Sequence, residues 1–401
     1  MSNLLQKIYI KIYIAMIVLS MIVAIAYKQN VFLGIFNFFT TIDGDFLTSS
    51  KYVINGFNEH AGHPYPPLAN LIFKYLGFLL GFKNSSFQKN IIYYIVAIIH
   101  NLLPAVILFF LINDLSKTNG KKLSFILVIL LIFNAPYLSA VRVSNYSVWP
   151  TVLSLAFFIL YDKENMILKE LGIIALAIAC GIKVTPAVFG LYLLFKKDFV
   201  SVIKLILYSA FLFFVPLLFL YHQYDFIGRI RFFIVCSLKY SHSFLKDRTG
   251  GLKTLYQILF RIDKFFGLHL NMRHIVSILS KILFLFLAAI SYIFASKRKL
   301  LILLLCLMQI LFSSPTYHSY SIFLIPTLYF IIDGASDSYD MALFIVLCLI
   351  QLLPFVFFWV TSWNILIYNY LAIDMLLNIG IIISIIIALK EFKEMAQIKK
   401  R

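Results

Sequence analysis

Apolar runs and short polar connections alternate along the whole chain, and this alternation predicts its architecture. A membrane-spanning helix needs about 20 mostly apolar residues, and several runs here are shorter, which predicts tilted or half-length helices. We interpret the runs as about 10–12 crossings of a membrane. They cover residues 8–27, 91–112, 123–139, 147–161, 168–181, 184–196, 201–221, 274–296, 299–313, 319–332, 341–360 and 365–389.

The composition agrees with a membrane protein. The chain is 62% hydrophobic and 13% charged, with a mean hydropathy of +0.93, whereas about 25% of the residues in soluble domains are charged. Such a chain has too few charges to cover itself with a water-exposed surface. We therefore predict an all-α integral membrane protein, a multi-spanning helical bundle that forms a single polytopic domain over residues 1–401.

Membrane topology explains the net charge of +18 better than nucleic-acid binding does, because no basic–aromatic groove pattern is present. Lys and Arg gather in short connections, as expected on the cytoplasmic side. Placing Lys7 and Lys11 inside puts both termini in the cytoplasm of a plasma (inner) membrane. In the same orientation, four basic segments lie inside, at 113–122, 196–198, 296–299 and 390–401. One acidic connection, at 333–340, also lies inside.

Two long connections then lie outside the membrane, at 28–90 and 222–273. Both contain amphipathic stretches, at 68–82 and 252–266, which are typical of helices that lie in the membrane interface. We therefore expect an outward-facing cavity that carries the chemistry. Three short outer connections complete this side, near residues 140–147, 182–185 and 314–318. The four cysteines have no paired spacing and predict neither a disulfide nor a metal site.

The first outer connection contains Asp43 and Asp45, followed by the rigid stretch HPYPPL at 63–68. A carboxylate at this place is either a solvated loop residue or a general base over a lipid-facing cavity. The prolines hold the chain extended and favour a helix that begins among them. They do not explain the presence of His60 and His63.

The apolar stretch 181–199 contains a lysine, Lys183, shortly before a helix-breaking proline, Pro186. A charge within apolar sequence costs a few kcal/mol unless it faces water, a partner or an anion. A broken helix also exposes backbone donors that can bind a phosphate. The alternative is a short extracellular hairpin whose lysine extends to the membrane surface.

Two further outer regions carry candidate ligand-binding groups. Residues 313–326 contain Tyr317 and His318, which could contact a sugar ring or a phosphate. The second long connection contains many basic residues, among them Arg231 and Arg248, and few acidic ones. This excess of positive charge outside the membrane indicates an anionic partner.

Taken in order, these stretches resemble the sequence blocks of glycosyltransferase family 87 (GT87), which includes mycobacterial polyprenol-phosphate-mannose-dependent mannosyltransferases. The matching blocks are Asp45-Phe46 with Tyr52 and Gly56, PYPPL (64–68), GIKVTPAVFGLYLLFKKDF (181–199), the looser YSHSFLKDRTG (240–250) and SSPTYHSYSIFLIP (313–326). Two positions depart from the family pattern: Tyr240 stands where Asn is usual, and Ser319 replaces a histidine.

The resemblance implies a GT-C-type helical bundle, a lipid-linked sugar donor and Asp45 as the catalytic carboxylate. We predict an inverting transfer of a hexosyl residue, most simply mannosyl, from a polyprenyl-phosphate donor to a glycan or glycolipid acceptor on the outer face. Asp45 would act as the general base, and because a lipid phosphate leaves without protonation, no second carboxylate is needed. The scheme requires no cofactor and no metal, although Asp43-Gly44-Asp45 has the D-x-D form.

The predicted site residues fall into two groups by role. The donor phosphate would be bound by Lys183, Arg231, Arg248 and His318. The acceptor or sugar would be bound by Asp43, Tyr52, His60, His63, Tyr65 and Tyr317. Two alternatives remain open at the level of sequence: a transporter or flippase of lipid-linked saccharides, and a polysaccharide polymerase or ligase. A flippase would not need a carboxylate at the cavity mouth, and polymerases usually carry their large outer loop late in the chain.

Overall fold

The computed structural model describes residues 2–26, 45–54, 65–82, 91–118, 125–142, 145–245, 263–267, 272–295, 298–312 and 338–352, with isolated positions between 324 and 390. Regular structure within these ranges is helical throughout, and none of the described residues forms a β-strand. This confirms the prediction of an all-α protein.

Most of the described helices fall on the apolar runs, and three fall within the two long outer connections at 28–90 and 222–273. The runs at 319–332 and 365–389 lie mainly outside the described residues. The helices are α1 (Ser2–Ala26), α2 (Asp45–Ile54), α3 (Pro67–Leu79), α4 (Ile91–Thr118), α5 (Phe125–Ile132), α6 (Ala135–Arg142), α7 (Val148–Tyr161), α8 (Met166–Ile182), a 3₁₀-helix (Thr185–Gly190), α9 (Leu191–Phe195), α10 (Phe199–Leu217), α11 (Phe226–Leu245), α12 (Met272–Ile293), α13 (Arg298–Phe312) and α14 (Ser338–Leu352).

Three of the described helices are long and apolar enough to cross a membrane, at Leu4–Ile22, Ile91–Asp114 and Phe199–Leu217. Several others are apolar but shorter, as the lengths of the runs predicted. The chain is therefore described as a membrane protein, while the number of crossings stays a prediction.

The run at 123–139, predicted as one crossing, is divided into two helices. The α5 helix ends at Ile132, and the Asn134 side chain donates a hydrogen bond to the Leu131 carbonyl at 3.1 Å. Pro136 follows in the first turn of α6. A proline has no backbone N–H and its ring crowds the carbonyl four residues earlier, which favours a break at this place.

The chain forms two compact units, and the first comprises Met1–Val31, Asn119–Pro136 and Arg248–Arg401. In this unit α1 packs against α5 and α14, and α12 packs against α13. The hydroxyls of Tyr9 and Tyr13 donate to the carbonyls of Leu130 and Phe133. These carbonyls lie at the end of α5, where a helix leaves its last C=O groups without internal partners.

The second unit comprises Phe32–Thr118 and Tyr137–Asp247. Its centre is the hairpin of α7 and α8, which also contacts α4, α10 and the 3₁₀-helix. A side chain at Gly172 would bring its Cβ within 2.9 Å of the Tyr161 backbone nitrogen, so only glycine permits this close approach. The α8 helix begins at the Asn165 cap, whose side chain accepts from the N–H groups of Ile167 and Leu168.

One end of the second unit is stabilised by ion pairs. Asp198, the N-cap of α10, accepts from Lys169 Nζ at 2.7 Å and from the Tyr161 hydroxyl at 2.8 Å. Lys163, two residues after Tyr161 in the chain, forms an ion pair with Asp114 at 3.0 Å. Residues of the connections 113–122 and 196–198, assigned above to one side of the membrane, thus bond to the same helical hairpin.

Candidate active site

Phe46, the second residue of α2, anchors the start of this helix, which begins at Asp45. Phe46 is fully buried; its ring centre lies 5.5 Å from that of Phe73 on α3 and 5.9 Å from that of Tyr146, on which it stacks. Aromatic pairs of this kind contribute about 0.5–1.5 kcal/mol beyond burial of their area. Phe46 therefore fixes the backbone of Asp45, the first residue of α2, beside the segment 145–147.

The proline-rich stretch folds as predicted over its described part, from Tyr65 onward. Pro66 is extended, with φ −60° and ψ 163°, and α3 begins at Pro67, whose missing N–H would have no partner inside the helix. The Asn70 side-chain amide donates to the Tyr65 carbonyl at 3.0 Å and ties the stretch to the first turn of α3. The Tyr65 ring is buried edge-on against Phe73, at 5.1 Å between ring centres, and belongs to the same aromatic core.

The predicted helix break at Lys183 is present. The α8 helix ends at Ile182, and Lys183 leaves the helical conformation, with φ −150° and ψ 130°, while its N–H still donates to the Ala179 carbonyl. A 3₁₀-helix starts at Thr185, with Pro186 in its first turn. The proline explains the break, because Pro186 has no N–H to donate to the carbonyl of Ile182, four residues earlier, and the α-helix ends at that residue.

The Lys183 ammonium is directed by a serine and an asparagine. Lys183 Nζ donates to Ser147 Oγ at 2.7 Å. The Ser147 hydroxyl in turn donates to Asn145 Oδ1 at 2.5 Å, and the Ser147 backbone N–H donates to the same oxygen at 2.8 Å. Lys183 is half-buried, whereas Asn145 and Ser147 are buried. The positive charge is therefore held at a defined position between α7 and the end of α8.

A buried histidine lies on the other side of this segment. The indole N–H of Trp149 donates to His100 Nδ1 at 3.2 Å, and the His100 ring centre lies 5.0 Å from that of Tyr146. Because Nδ1 accepts this bond, a neutral His100 carries its proton on Nε2. Burial raises the pKa of Tyr146 above its ordinary value, so its hydroxyl stays neutral at physiological pH.

An apolar groove of about 440 Å³ adjoins the helix break. It lies between the end of α8, the 3₁₀-helix, α9 and α10, and Pro66 contributes to one side. Val184, the residue after Lys183, lines it. Further lining residues are Gly181, Leu191, Leu194, Ile206 and Phe213. The residue that carries the positive charge thus directly precedes one that lines the apolar groove.

The remaining predicted site residues are distributed differently. Tyr52 is exposed on α2, and Arg231 is exposed on α11. For Asp45 the structure describes the backbone alone. Six predicted residues lie outside the described part of the chain: Asp43, His60, His63, Arg248, Tyr317 and His318.

The residues that the sequence analysis missed belong to the segment 145–149 and to α4. The segment was recognised as a short outer connection, but its asparagine and serine were not singled out. His100 lies within an apolar run, followed by Asn101. A polar pair inside an apolar run is itself a signal, because an unpartnered polar group is costly in hydrocarbon.

The fold and the helix lengths define an integral membrane protein built of α-helices. Residues 63–315 match the sequence model of glycosyltransferase family 87. This match covers more than half of the 401 residues, and the chain therefore belongs to glycosyltransferase family 87 and is a glycosyltransferase. No curated protein and no solved structure matches the chain. The matched range includes Ser147, Lys183 and Arg231; it begins after Asp45 and ends before His318.

Proposed function

We propose that this glycosyltransferase moves a hexosyl residue, most simply mannosyl, from a polyprenyl-phosphate donor to a glycan or glycolipid acceptor. The reaction would take place at the outer face of the plasma (inner) membrane and invert the anomeric configuration. The family supports transfer of a sugar, and the nature of the donor, the acceptor and the base is our inference.

The observation that carries the proposal is that Lys183 directly precedes a residue that lines an apolar groove. Its ammonium is held by Ser147 at 2.7 Å, while the next residue, Val184, lines the groove. A polyprenyl phosphate has a matching shape, an anionic head joined directly to an apolar tail. We infer that the phosphate binds at Lys183 and that the first part of the tail occupies the groove, so that the donor stays in the bilayer.

The chemistry requires one base and one cation. An acceptor hydroxyl attacks the anomeric carbon, its proton passes to the Asp45 carboxylate, and the bond between the anomeric carbon and the phosphate oxygen breaks. The lipid phosphate leaves with an added negative charge, which Lys183 stabilises. Arg231, Arg248 and His318 would share in binding the phosphate. Because phosphate is a good leaving group, no acid is required to protonate it.

The remaining predicted residues are assigned to the acceptor side. These are Asp43, Tyr52, His60, His63, Tyr65 and Tyr317. Of them, Tyr52 is well placed to contact a ligand because it is exposed on the helix that begins at Asp45. Tyr65 would act through the aromatic core against which it is buried.

The test is transfer of label from a polyprenyl-phosphate sugar. Membranes from cells that express the chain would receive polyprenyl phosphate carrying radiolabelled mannose, and label would be measured in the glycan and glycolipid fractions. We expect Asp45→Asn to abolish transfer at an unchanged protein level. Asp43→Asn is the comparison variant: because Asp43 is assigned to acceptor binding, its substitution should weaken transfer without abolishing it. A flippase would move the labelled donor without passing its sugar on.

The outcomes separate the parts of the proposal. Loss of transfer in Asp43→Asn together with normal transfer in Asp45→Asn would move the base to Asp43. Normal transfer in both variants would refute an aspartate base in this connection. If wild-type membranes transfer label only from a nucleotide sugar, the lipid-phosphate donor is wrong.

A further inference from the structure

The segment that joins α6 to α7 contacts both parts of the proposed site. We propose that Ser147 is a positioning residue of the donor-phosphate site, which holds the Lys183 ammonium through a hydrogen-bond chain that begins at Asn145. This inference rests on the proposed function, since it gives Lys183 its role there, but it is tested by binding and not by transfer.

The direction of each hydrogen bond follows from the donors available. A serine hydroxyl carries one hydrogen, and that of Ser147 points to Asn145 Oδ1 at 2.5 Å. The lone pairs of Ser147 Oγ are then left for Lys183 Nζ at 2.7 Å. Asn145 is itself fixed, because its N–H donates to the Ala140 carbonyl at 2.8 Å. The chain therefore runs in one sense, from the lysine through the serine to the asparagine.

Ser147 is also fixed on its other side. Its carbonyl accepts from both the N–H of Thr151, at 3.2 Å, and the Thr151 hydroxyl, at 2.8 Å, in the first turn of α7. The side chain is fully buried. A group with this many bonds has little freedom to move, so the oxygen that receives Lys183 is rigidly placed.

Such a rigid partner matters because lysine is a flexible side chain. Holding a long side chain in one conformation costs up to about 2 kcal/mol of entropy. When the protein alone fixes the ammonium, this cost is met on folding and does not recur when the phosphate binds. The bond to Ser147 thus raises the affinity for an anion at Lys183 without itself contacting the anion.

The same segment sets the distance between the two halves of the site. Tyr146 stacks on Phe46, the neighbour of Asp45, and Ser147 holds Lys183. Two adjacent residues therefore connect the start of α2, which carries the proposed base, to the helix break that carries the proposed phosphate ligand.

The experiment measures binding of farnesyl phosphate to the full chain in lipid nanodiscs, with farnesol as the ligand that lacks the phosphate. We expect Ser147→Ala to weaken farnesyl phosphate binding by about tenfold, because the freed Lys183 side chain must then be ordered when the phosphate binds, and to leave farnesol binding unchanged. Ser154→Ala is the matched control. Ser154 is buried on α7 and its hydroxyl has no partner among the described residues, so its loss should not change binding.

A double substitution decides whether Ser147 acts through Lys183. If it does, Ser147→Ala combined with Lys183→Ala binds farnesyl phosphate as weakly as Lys183→Ala alone. Fold-losses that multiply in the double variant would overturn the inference, as would wild-type binding by Ser147→Ala or by Lys183→Ala. Asn145→Ala removes the oxygen that orients the Ser147 hydroxyl and adds no charge, so it should weaken farnesyl phosphate binding in the same direction as Ser147→Ala. It keeps the test decisive should Ser147→Ala fold poorly, because wild-type binding by a stably folded Asn145→Ala would also count against the chain.

This design separates the inference from the proposed function. Binding of farnesyl phosphate requires no acceptor and no base, so a negative result for Ser147 leaves the transfer experiment with Asp45 intact. Conversely, normal transfer in Asp45→Asn leaves the measured coupling between Ser147 and Lys183 unchanged.

Discussion

Asp198 offers a test of how the helices that present Ser147 and Lys183 are stabilised. Ser147 precedes α7 and Lys183 follows α8, whereas Tyr161 and Lys169, at the opposite ends of the same helices, both bond to Asp198. The α7 helix has 14 residues and spans about 21 Å at 1.5 Å per residue. Substitution of Asp198 therefore perturbs the helix pair far from the site.

The expected magnitude follows from the bonds to each carboxylate oxygen. Oδ1 accepts from the Ser201 N–H at 3.1 Å, while Oδ2 accepts from Lys169 Nζ, the Tyr161 hydroxyl and the Ser201 hydroxyl at 2.7, 2.8 and 2.8 Å. In Asp198→Asn the side-chain amide can keep its oxygen at the position of Oδ1. Its NH₂ group then faces the Lys169, Tyr161 and Ser201 donors and cannot accept from them. A charge-assisted bond is worth about 1.5–3 kcal/mol, reduced here because Lys169 is 38% exposed.

We expect Asp198→Asn to lower the free energy of unfolding by roughly 2 kcal/mol, because the loss of the lysine bond dominates and the two hydroxyls can rotate. The measurement is thermal and denaturant unfolding of the full chain in detergent micelles. Asp225→Asn is a suitable control, because Asp225 is exposed and accepts one backbone N–H from Gly228 on a different helix. Equal stability of wild type and Asp198→Asn would refute the assigned energetic role.

The same cluster gives a pH dependence with a definite sign. Partial burial disfavours the charge of Asp198, but the hydrogen bonds from Lys169, Ser201 and Tyr161 outweigh it and hold the pKa of the carboxyl well below its ordinary value. A depressed folded-state pKa stabilises the protein above the unfolded pKa, near 3.9 for Asp. This contribution is lost as pH falls below about 4 through the folded pKa. The difference in stability between wild type and Asp198→Asn should therefore shrink in acid; a gap that widens below pH 4 would contradict it.

Three further substitutions test packing and the groove. Gly181→Leu adds a side chain beside the groove, with its Cβ 2.8 Å from Leu68 Cδ2. Farnesyl phosphate and farnesol should therefore both bind more weakly. Unchanged farnesol binding would exclude the groove as the tail site. Gly77→Ala places a Cβ 2.6 Å from Ile54 Cδ1. Overpacking should lower the free energy of unfolding by about 1–3 kcal/mol, measured by thermal unfolding. A variant as stable as the wild type would show that α2 can shift freely. Trp149→Phe removes the donor to His100 Nδ1 and should cost about 1 kcal/mol of stability, with an unaffected melting temperature as the contrary result.

Local sequence signals predicted the parts of the site that depend on neighbouring residues. Proline fixes its own φ and has no N–H to donate within a helix, so the start of α3 at Pro67 and the end of α8 four residues before Pro186 could be read from the chain. The apolar runs likewise gave the positions of most helices. The break at Asn134 was missed because the surrounding residues are apolar enough to continue a run.

The partners of Lys183 could not be predicted in the same way. Ser147 is 36 residues from Lys183 in sequence, and serine is common in connections of every kind, so no local pattern distinguishes it. Its role depends on α7 and α8 forming a hairpin, which brings the start of one helix to the end of the other. The stacking of Tyr146 on Phe46 is a second contact of this long-range type.

The hairpin explains why a lysine can be tolerated in so apolar a stretch. Lys183 lies where α8 stops, so its own backbone is released from the helix, and Ser147 supplies an oxygen at the facing end of α7. If the hairpin behaves as a rigid pair, Asp198→Asn will reduce stability while the folded protein still binds farnesyl phosphate with wild-type affinity. If binding weakens as well, the ion pairs at the far end contribute to the placement of Lys183. The ratio of the two effects therefore measures how independently the two ends of α7 and α8 are held.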